Sequence, residues 1–226
     1  MLRTMRLVAG KDLRIEARSR VATNQVLPFA AVVLVLFAFA LDPDSGALRR
    51  ATPGLFWLAV LFCLLFTVQR SFGLETADGA RDGLRLSTLE PAGLFLGKAA
   101  ALAVELLALE LVLGVGVVLL YDAPTRTGGL VLFVASALAA TWGLVAVGTL
   151  YGGLAAGQRV RDTLLPLLVL PVVAPVLIGA TRANEAALGI GDRAVSDGWP
   201  WVGLLTVFAL AYTALGLVAF GALLED

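Results

Sequence analysis

Long apolar runs dominate the chain, separated by short polar segments rich in Arg, Gly and Asp. About 20 apolar residues cross a bilayer as a helix. The pattern therefore predicts transmembrane helices at roughly 22 to 41, 53 to 69, 94 to 120, 130 to 155, 164 to 181 and 201 to 223. The second and fifth lie near the lower length limit. The first 20 residues are patterned differently. On a helix, Leu2, Met5, Ala9 and Leu13 share one side, and Lys11, Arg14 and Arg18 fall at i, i+3, i+7 on another. This predicts an amphipathic helix over 1–20 along a membrane surface, either a positive topology anchor or an elbow that meets a partner. The leader is expected to be retained, because no small-residue cleavage signal follows it. The predicted fold class is all-α, a polytopic membrane protein with six transmembrane helices. No repeat, low-complexity tract or long linker divides the chain, so residues 1–226 read as one domain.

Composition supports lipid as the main solvent. The 226 residues are 59% hydrophobic and 15% charged, against about half and one quarter in soluble domains. The net charge is zero, so no overall basic field gathers nucleic acid. Placement of the 17 Lys and Arg residues is asymmetric. Twelve fall on one side of the predicted spans: Arg3, Arg6, Lys11, Arg14, Arg18, Arg20, Arg70, Arg81, Arg85, Lys98, Arg159 and Arg161. Five fall on the other: Arg49, Arg50, Arg126, Arg182 and Arg193. Positive segments stay in the cytoplasm, so both termini are expected there.

Candidate chemistry is sparse. With no histidine, His-based metal sites, Ser-His-Asp triads and His ligation of haem by this chain are excluded. The single cysteine, Cys63, rules out an intrachain disulfide. The segment Gly93 to Gly97-Lys98 is one residue short of a phosphate loop and lacks its Ser or Thr. No connection has room for a nucleotide-binding domain, so any ATP is used by another chain. No metal site and no enzymatic function are expected.

Three features remain. Glu105 and Glu110 lie inside the third span, where an ionised carboxylate costs a few kcal/mol or more. Five residues apart, they point about 140° from each other, so they do not form one paired-carboxylate site. Each is either a substrate or proton contact, or a protonated or interhelically hydrogen-bonded acid. Neither has a visible partner in the sequence. Pro166, Pro171 and Pro175 should kink or break the fifth span and suit a helix that faces protein or a cavity rather than bare lipid. A packing kink without a transport role is the alternative. Gly148, Gly152, Gly153 and Gly157 form two small-xxx-small pairs suited to close helix packing.

The most informative stretch is the inner connection, residues 69–93. Glu75, Asp78 and Asp82 fall at i, i+3, i+7, Leu84, Leu86 and Leu89 supply apolar contact, and Gly79 and Gly83 permit sharp bends. Such a segment docks into a groove on a soluble partner or remains a solvated loop.

At this connection the sequence resembles the CcmB family, the haem exporter B membrane subunit of the cytochrome c maturation ABC transporter. The likeness runs through Lys11-Asp-Leu-Arg-Ile-Glu16, Pro53-Gly54-Leu-Phe-Trp57, Arg70-Ser-Phe, Asp78-Gly79, Leu86-Ser87 to Pro91, Gly97-Lys98 and Leu168-Val-Leu-Pro171-Val-Val-Ala-Pro175. The acid-Gly, Leu-Ser, Pro, Gly-Lys order is shared more widely with ABC-2-type permeases. The sequence departs from relatives at Ser87-Thr88, where Ser-Pro is usual. The resemblance implies a permease of the bacterial inner membrane that pairs with a separate ATP-binding cassette subunit. The coupling residues it implies are Arg70, Glu75, Asp78, Gly79, Asp82, Gly83, Leu86, Glu90 and Pro91. It further implies a haem-handling membrane protein and a small single-span subunit as partners. A homodimer follows by analogy with paired cassettes, alongside contact with membrane lipid. Haem is then handled by the complex rather than bound by this chain, and ATP is bound by the partner. Competing readings are an ABC-2 permease for a lipid, drug or polysaccharide, and a membrane scaffold or intramembrane enzyme with no ATPase.

Overall fold

A computed structural model describes residues 1–41, 46–77, 90–121, 126, 128–155 and 161–225. Helix α1 covers Leu2–Ser19. It stops where Arg20 turns left-handed (φ 50°, ψ 34°), its N–H bonding to the Glu16 carbonyl at 2.7 Å. A π-helical turn, Ala22–Val26, leads into α2, Leu27–Ala40. Then follow α3 (Ala47–Ala77), α4 (Pro91–Tyr121), α5 (Gly129–Ala155), α6 (Arg161–Leu188) and α7 (Trp199–Glu225). Two 3-10 turns, Ile190–Asp192 and Val195–Gly198, join α6 to α7. No strand occurs among the described residues. Among the described residues, six helical segments are long and apolar enough to cross a membrane. Six crossings put the two ends of the chain on one side, and the Lys and Arg distribution makes that side the cytoplasm.

The helices overrun their apolar stretches. Although the apolar core of α3 starts near Pro53, the helix begins at Ala47 and continues to Ala77. Backbone N–H and C=O groups at a membrane boundary still need partners, and the helix supplies them. Its 31 residues span about 46 Å against about 30 Å of hydrocarbon. Gln69, Arg70 and Ser71 are thus carried on rigid helix rather than loop. The second span, short in sequence, belongs to one of the two longest helices. Similarly, α6 runs on past Thr181 to Leu188, where Glu185 pairs with Arg182 (2.9 Å) and Arg193 (3.1 Å).

The prolines of α6 do not break it: the helix continues through Pro166, Pro171 and Pro175. Within this single chain the surroundings of the helix are mixed. Pro171 and Pro175 are exposed, on a surface shared with Leu167, Leu170 and Ile178, while Val169, Val173, Val176 and Ala180 are buried. A proline on the outward face keeps its ring away from the tightly packed side. The inward face stays regular enough to pack on α3, α5 and α7.

α3 is the most buried span, whereas α2 and α7 are the least. Phe56, Trp57, Val60, Leu64, Val68 and Phe72 of α3 lie in the main apolar core. Small residues let neighbours approach. A Cβ on Gly148 would come within 2.8 Å of Val68, one on Gly152 within 2.6 Å of Phe72, and one on Gly153 within 2.8 Å of Phe220. The small-residue positions of α5 thus seat α3 on one side and α7 on the other; Gly157 lies outside the described residues. Polar ties join the spans as well. Tyr121 Oη donates to the Leu34 carbonyl (2.8 Å), fastening the outer end of α4 to α2. Trp142 Nε1 donates to Thr213 Oγ1 (3.0 Å) between α5 and α7.

Candidate functional site

Where α3 ends and α4 begins, α1 packs on α4 and a charged joint with α3 forms. The crossing is set by glycine. Thr4 sits on Gly93 and Val8 on Gly97, where an added Cβ would lie 2.7 Å from the Cβ of Thr4 or Val8. Thr4 and Val8 are the buried residues of α1, and Asp12 and Glu16 continue the same four-residue ridge. The apolar side read from the sequence is a different one. Leu2 is exposed, and Met5, Ala9 and Leu13 are only half-buried. Packing selected the side that fits over two glycines and carries the carboxylates.

Lys98 is 1% exposed, a position no lysine occupies unpaired. Its ammonium donates to Asp12 Oδ2 at 3.5 Å and to Ser71 Oγ at 3.3 Å, and lies 4.6 Å from the centre of the Phe72 ring. One turn away, Arg70 Nη2 donates to Ser19 Oγ (2.6 Å) and pairs with Glu16 Oε2 (3.4 Å). The other oxygen of Glu16 accepts the Ala22 N–H at 2.7 Å, so the same carboxylate holds the start of the first span. The Met1 amine pairs with Glu90, immediately before Pro91 opens α4. α1 is therefore tied to α3 through Arg70, and to α4 through Gly93, Gly97 and Lys98, whose ammonium also reaches Ser71 of α3.

Beside this joint lies a cleft of about 230 Å³ lined by Asp12, Glu16, Thr67, Arg70, Ser71 and Glu105, among others. Glu105 thus sits with charged neighbours at the inner end of the bundle, and its Oε1 is buried without a hydrogen bond. Glu110 lies elsewhere. It is 5% exposed, and its Oε1 accepts a 2.5 Å hydrogen bond from Thr141 Oγ1 across to α5. Its Oε2 is unpaired. Glu110 also borders an outward apolar groove of about 360 Å³ that has Gly114, Phe133 and Arg126 along its walls. The two acids occupy separate environments, as their spacing requires. Each has surroundings that the sequence did not reveal.

Of the coupling residues expected from the resemblance, Arg70 is at the joint, and Glu90 and Pro91 are at its edge. Glu75 belongs to the last turns of α3. Asp78, Gly79, Asp82, Gly83 and Leu86 lie outside the described residues. Sequence reasoning missed Asp12, Glu16, Ser71 and Lys98 as site residues. The signal was present: Asp12 and Glu16 stand at i, i+4 on a helix whose other charges are basic, and Lys98 follows Gly97 in an apolar helix. Three segments that carry the resemblance, 11–16, 70–72 and 97–98, converge at this one place. Among the described residues, no group of three or more His, Cys, Asp or Glu is arranged to hold a metal ion.

Comparison with known proteins agrees with this architecture. A family model described as CcmB protein matches residues 3–226. "Heme exporter protein B" of Paracoccus denitrificans is 31% identical over 228 residues, covering 96% of each chain. The protein of that name from Pseudomonas aeruginosa is 30% identical over 220 residues, covering 94% of each. That from Bradyrhizobium diazoefficiens is 32% identical over 220 residues, covering 95% of this chain and 94% of its own.

Proposed function

The chain belongs to the CcmB protein family, and on that premise we propose that it is the permease subunit of a haem exporter acting in cytochrome c maturation, driven by ATP hydrolysis in a separate cassette subunit. It is a multi-pass protein of the bacterial inner membrane. The permease is not itself the catalyst; chemical energy reaches it from outside.

The observation that supports mechanical coupling is the clamp on Lys98. The inner connection leaves α3 after Ala77 and enters α4 at Pro91, and α1 is fastened to both flanks of it. Force applied by a cassette docked on this connection enters α3, α4 and α1 together. Buried charge pairs resist sliding, because separating them strands an unpaired charge. Small displacements then repack whole helices instead of dissipating in the loop. In this reading the cassette contacts the stretch from Arg70 to Pro91. A haem-handling membrane protein, a small single-span subunit and a second copy of this chain complete the assembly. Haem is its cargo and ATP its partner's ligand.

Mild-detergent affinity purification of the tagged chain from its native host, with mass spectrometry and a haem absorbance spectrum, tests the assignment. Recovery of a cassette ATPase with a haem-handling protein is the expected outcome. A cassette alone points to an ABC-2 permease with another substrate. Recovery of neither removes the transporter reading.

A further inference from the structure

We propose that the outward face of α1 binds the headgroups of anionic phospholipids in the cytoplasmic leaflet. The argument starts from how the helix sorts its charges. Both of its acids, Asp12 and Glu16, belong to the ridge that meets α3 and α4, where Lys98 and Arg70 engage them. The arginines point the other way. Arg3, Arg6, Arg14 and Arg18 are exposed, and none of the four has an ion-pair partner among the described residues. Internal pairing thus consumes the negative charge of α1 and leaves a positive outer face.

That face also has shape and apolar content. A shallow trough of about 370 Å³ runs along it, lined by Arg6, Leu7, Gly10, Arg14, Ile15 and Arg18. Arg6, Gly10, Arg14 and Arg18 stand four residues apart, so they form one row, and Leu7 and Ile15 flank it. Around Gly10 the trough is open, with nothing within 4 Å of where a Cβ would be. Leu7 is 58% exposed, which a water-facing helix has no reason to favour. A basic row with leucine and isoleucine beside it matches a membrane boundary, where apolar side chains enter the acyl region and arginines reach the phosphates. Position agrees. The first span begins at Ala22, two residues beyond the elbow at Arg20, so the span holds Arg14, Ile15 and Arg18 at the inner edge of the bilayer.

The test is native mass spectrometry of the full chain in mild detergent, titrated separately with phosphatidylglycerol and phosphatidylcholine. Each basic residue near a surface contributes about fivefold to anionic binding. The variant R6Q/R14Q/R18Q should weaken the tightest phosphatidylglycerol binding by at least about tenfold and leave phosphatidylcholine unchanged. High salt should erode the preference in the wild type. The charge-conserving R6K/R14K/R18K should keep it, which separates lost charge from lost structure. A control, R49Q/R126Q, removes arginines from the opposite side and should have no effect. An unchanged preference in the glutamine variant overturns the proposal. So does a glutamine variant that keeps the preference yet loses a co-purifying protein partner, since the face would then dock protein.

Discussion

Replacing Asp12 by Ala removes the carboxylate from an ammonium that is 1% exposed. Breaking a buried pair from one side costs about 3–5 kcal/mol. Here the cost should be lower, because Asp12 retains 16% of its side-chain exposure and Ser71 and Phe72 stay on the ammonium. We expect a loss of about 2–3 kcal/mol for Asp12→Ala. Lys98→Met keeps the aliphatic stem and removes the charge. It leaves Asp12 with Lys11 at 3.1 Å, so the loss should be about 1 kcal/mol or less. The double variant should lie close to Lys98→Met alone, because no unpaired ammonium remains. The cycle then yields a coupling of about 2–3 kcal/mol, the cost of Asp12→Ala itself. The assay is reversible denaturation of the four proteins in one detergent, with tryptic cleavage at Arg14 and Arg18 as a local probe of α1 release. Additive single effects, with coupling below about 0.5 kcal/mol, would refute the idea that the pair clamps α1.

Further tests address the glycines, the buried acid and the inner connection. Gly97→Leu places carbon where Val8 and the Met5 carbonyl already sit; α1 should lift from α4, seen as faster proteolysis of residues 1–20 with the six spans still inserted. Glu110→Gln keeps an oxygen for Thr141 and should change stability by no more than about 1 kcal/mol, whereas Glu110→Lys buries a new unpaired charge and should prevent recovery of folded protein; equal thermal stability of the two would contradict the burial described for this position. Asp78→Lys with Asp82→Lys should weaken cassette recovery while membrane insertion persists, and undiminished co-purification would detach the ATPase from this connection.

The sequence was most readable where lipid dictates the answer. Six apolar runs give six crossings because a bilayer tolerates few other solutions, and the segments flanking Lys98 carried the family resemblance before any contact was known. Helix ends were less readable. Thr52 and Gln69 look like loop residues by polarity, yet both sit within α3, since hydrogen bonding continues the helix past the point where hydrophobicity fades. The ridge of α1 that packs on α4 was not legible for a related reason. Leu2 and Leu13 outrank Thr4 in hydropathy, but Thr4 and Val8 are the residues that fit over Gly93 and Gly97. Partners of charged groups were hidden altogether: Asp12 and Lys98 are 86 residues apart in sequence, and no local pattern announces such a pair. Likewise, nothing near Glu110 in sequence points to Thr141.

The hydroxyl of Tyr121 acquires a larger meaning beside the elbow at Arg20. α2 is held midway along its length by that hydroxyl, and at the turn that leads into it by Glu16, whose carboxylate also belongs to the joint with α3. α1 rests on α4, α2 hangs from α1, and α4 reaches back to α2, so the three helices close a mechanical circuit. A thrust along α4 has no slack to take up within that circuit. It also reaches α5 and α7, on which α4 packs directly, through the Thr141–Glu110 hydrogen bond and the contact of Phe95 with Phe220.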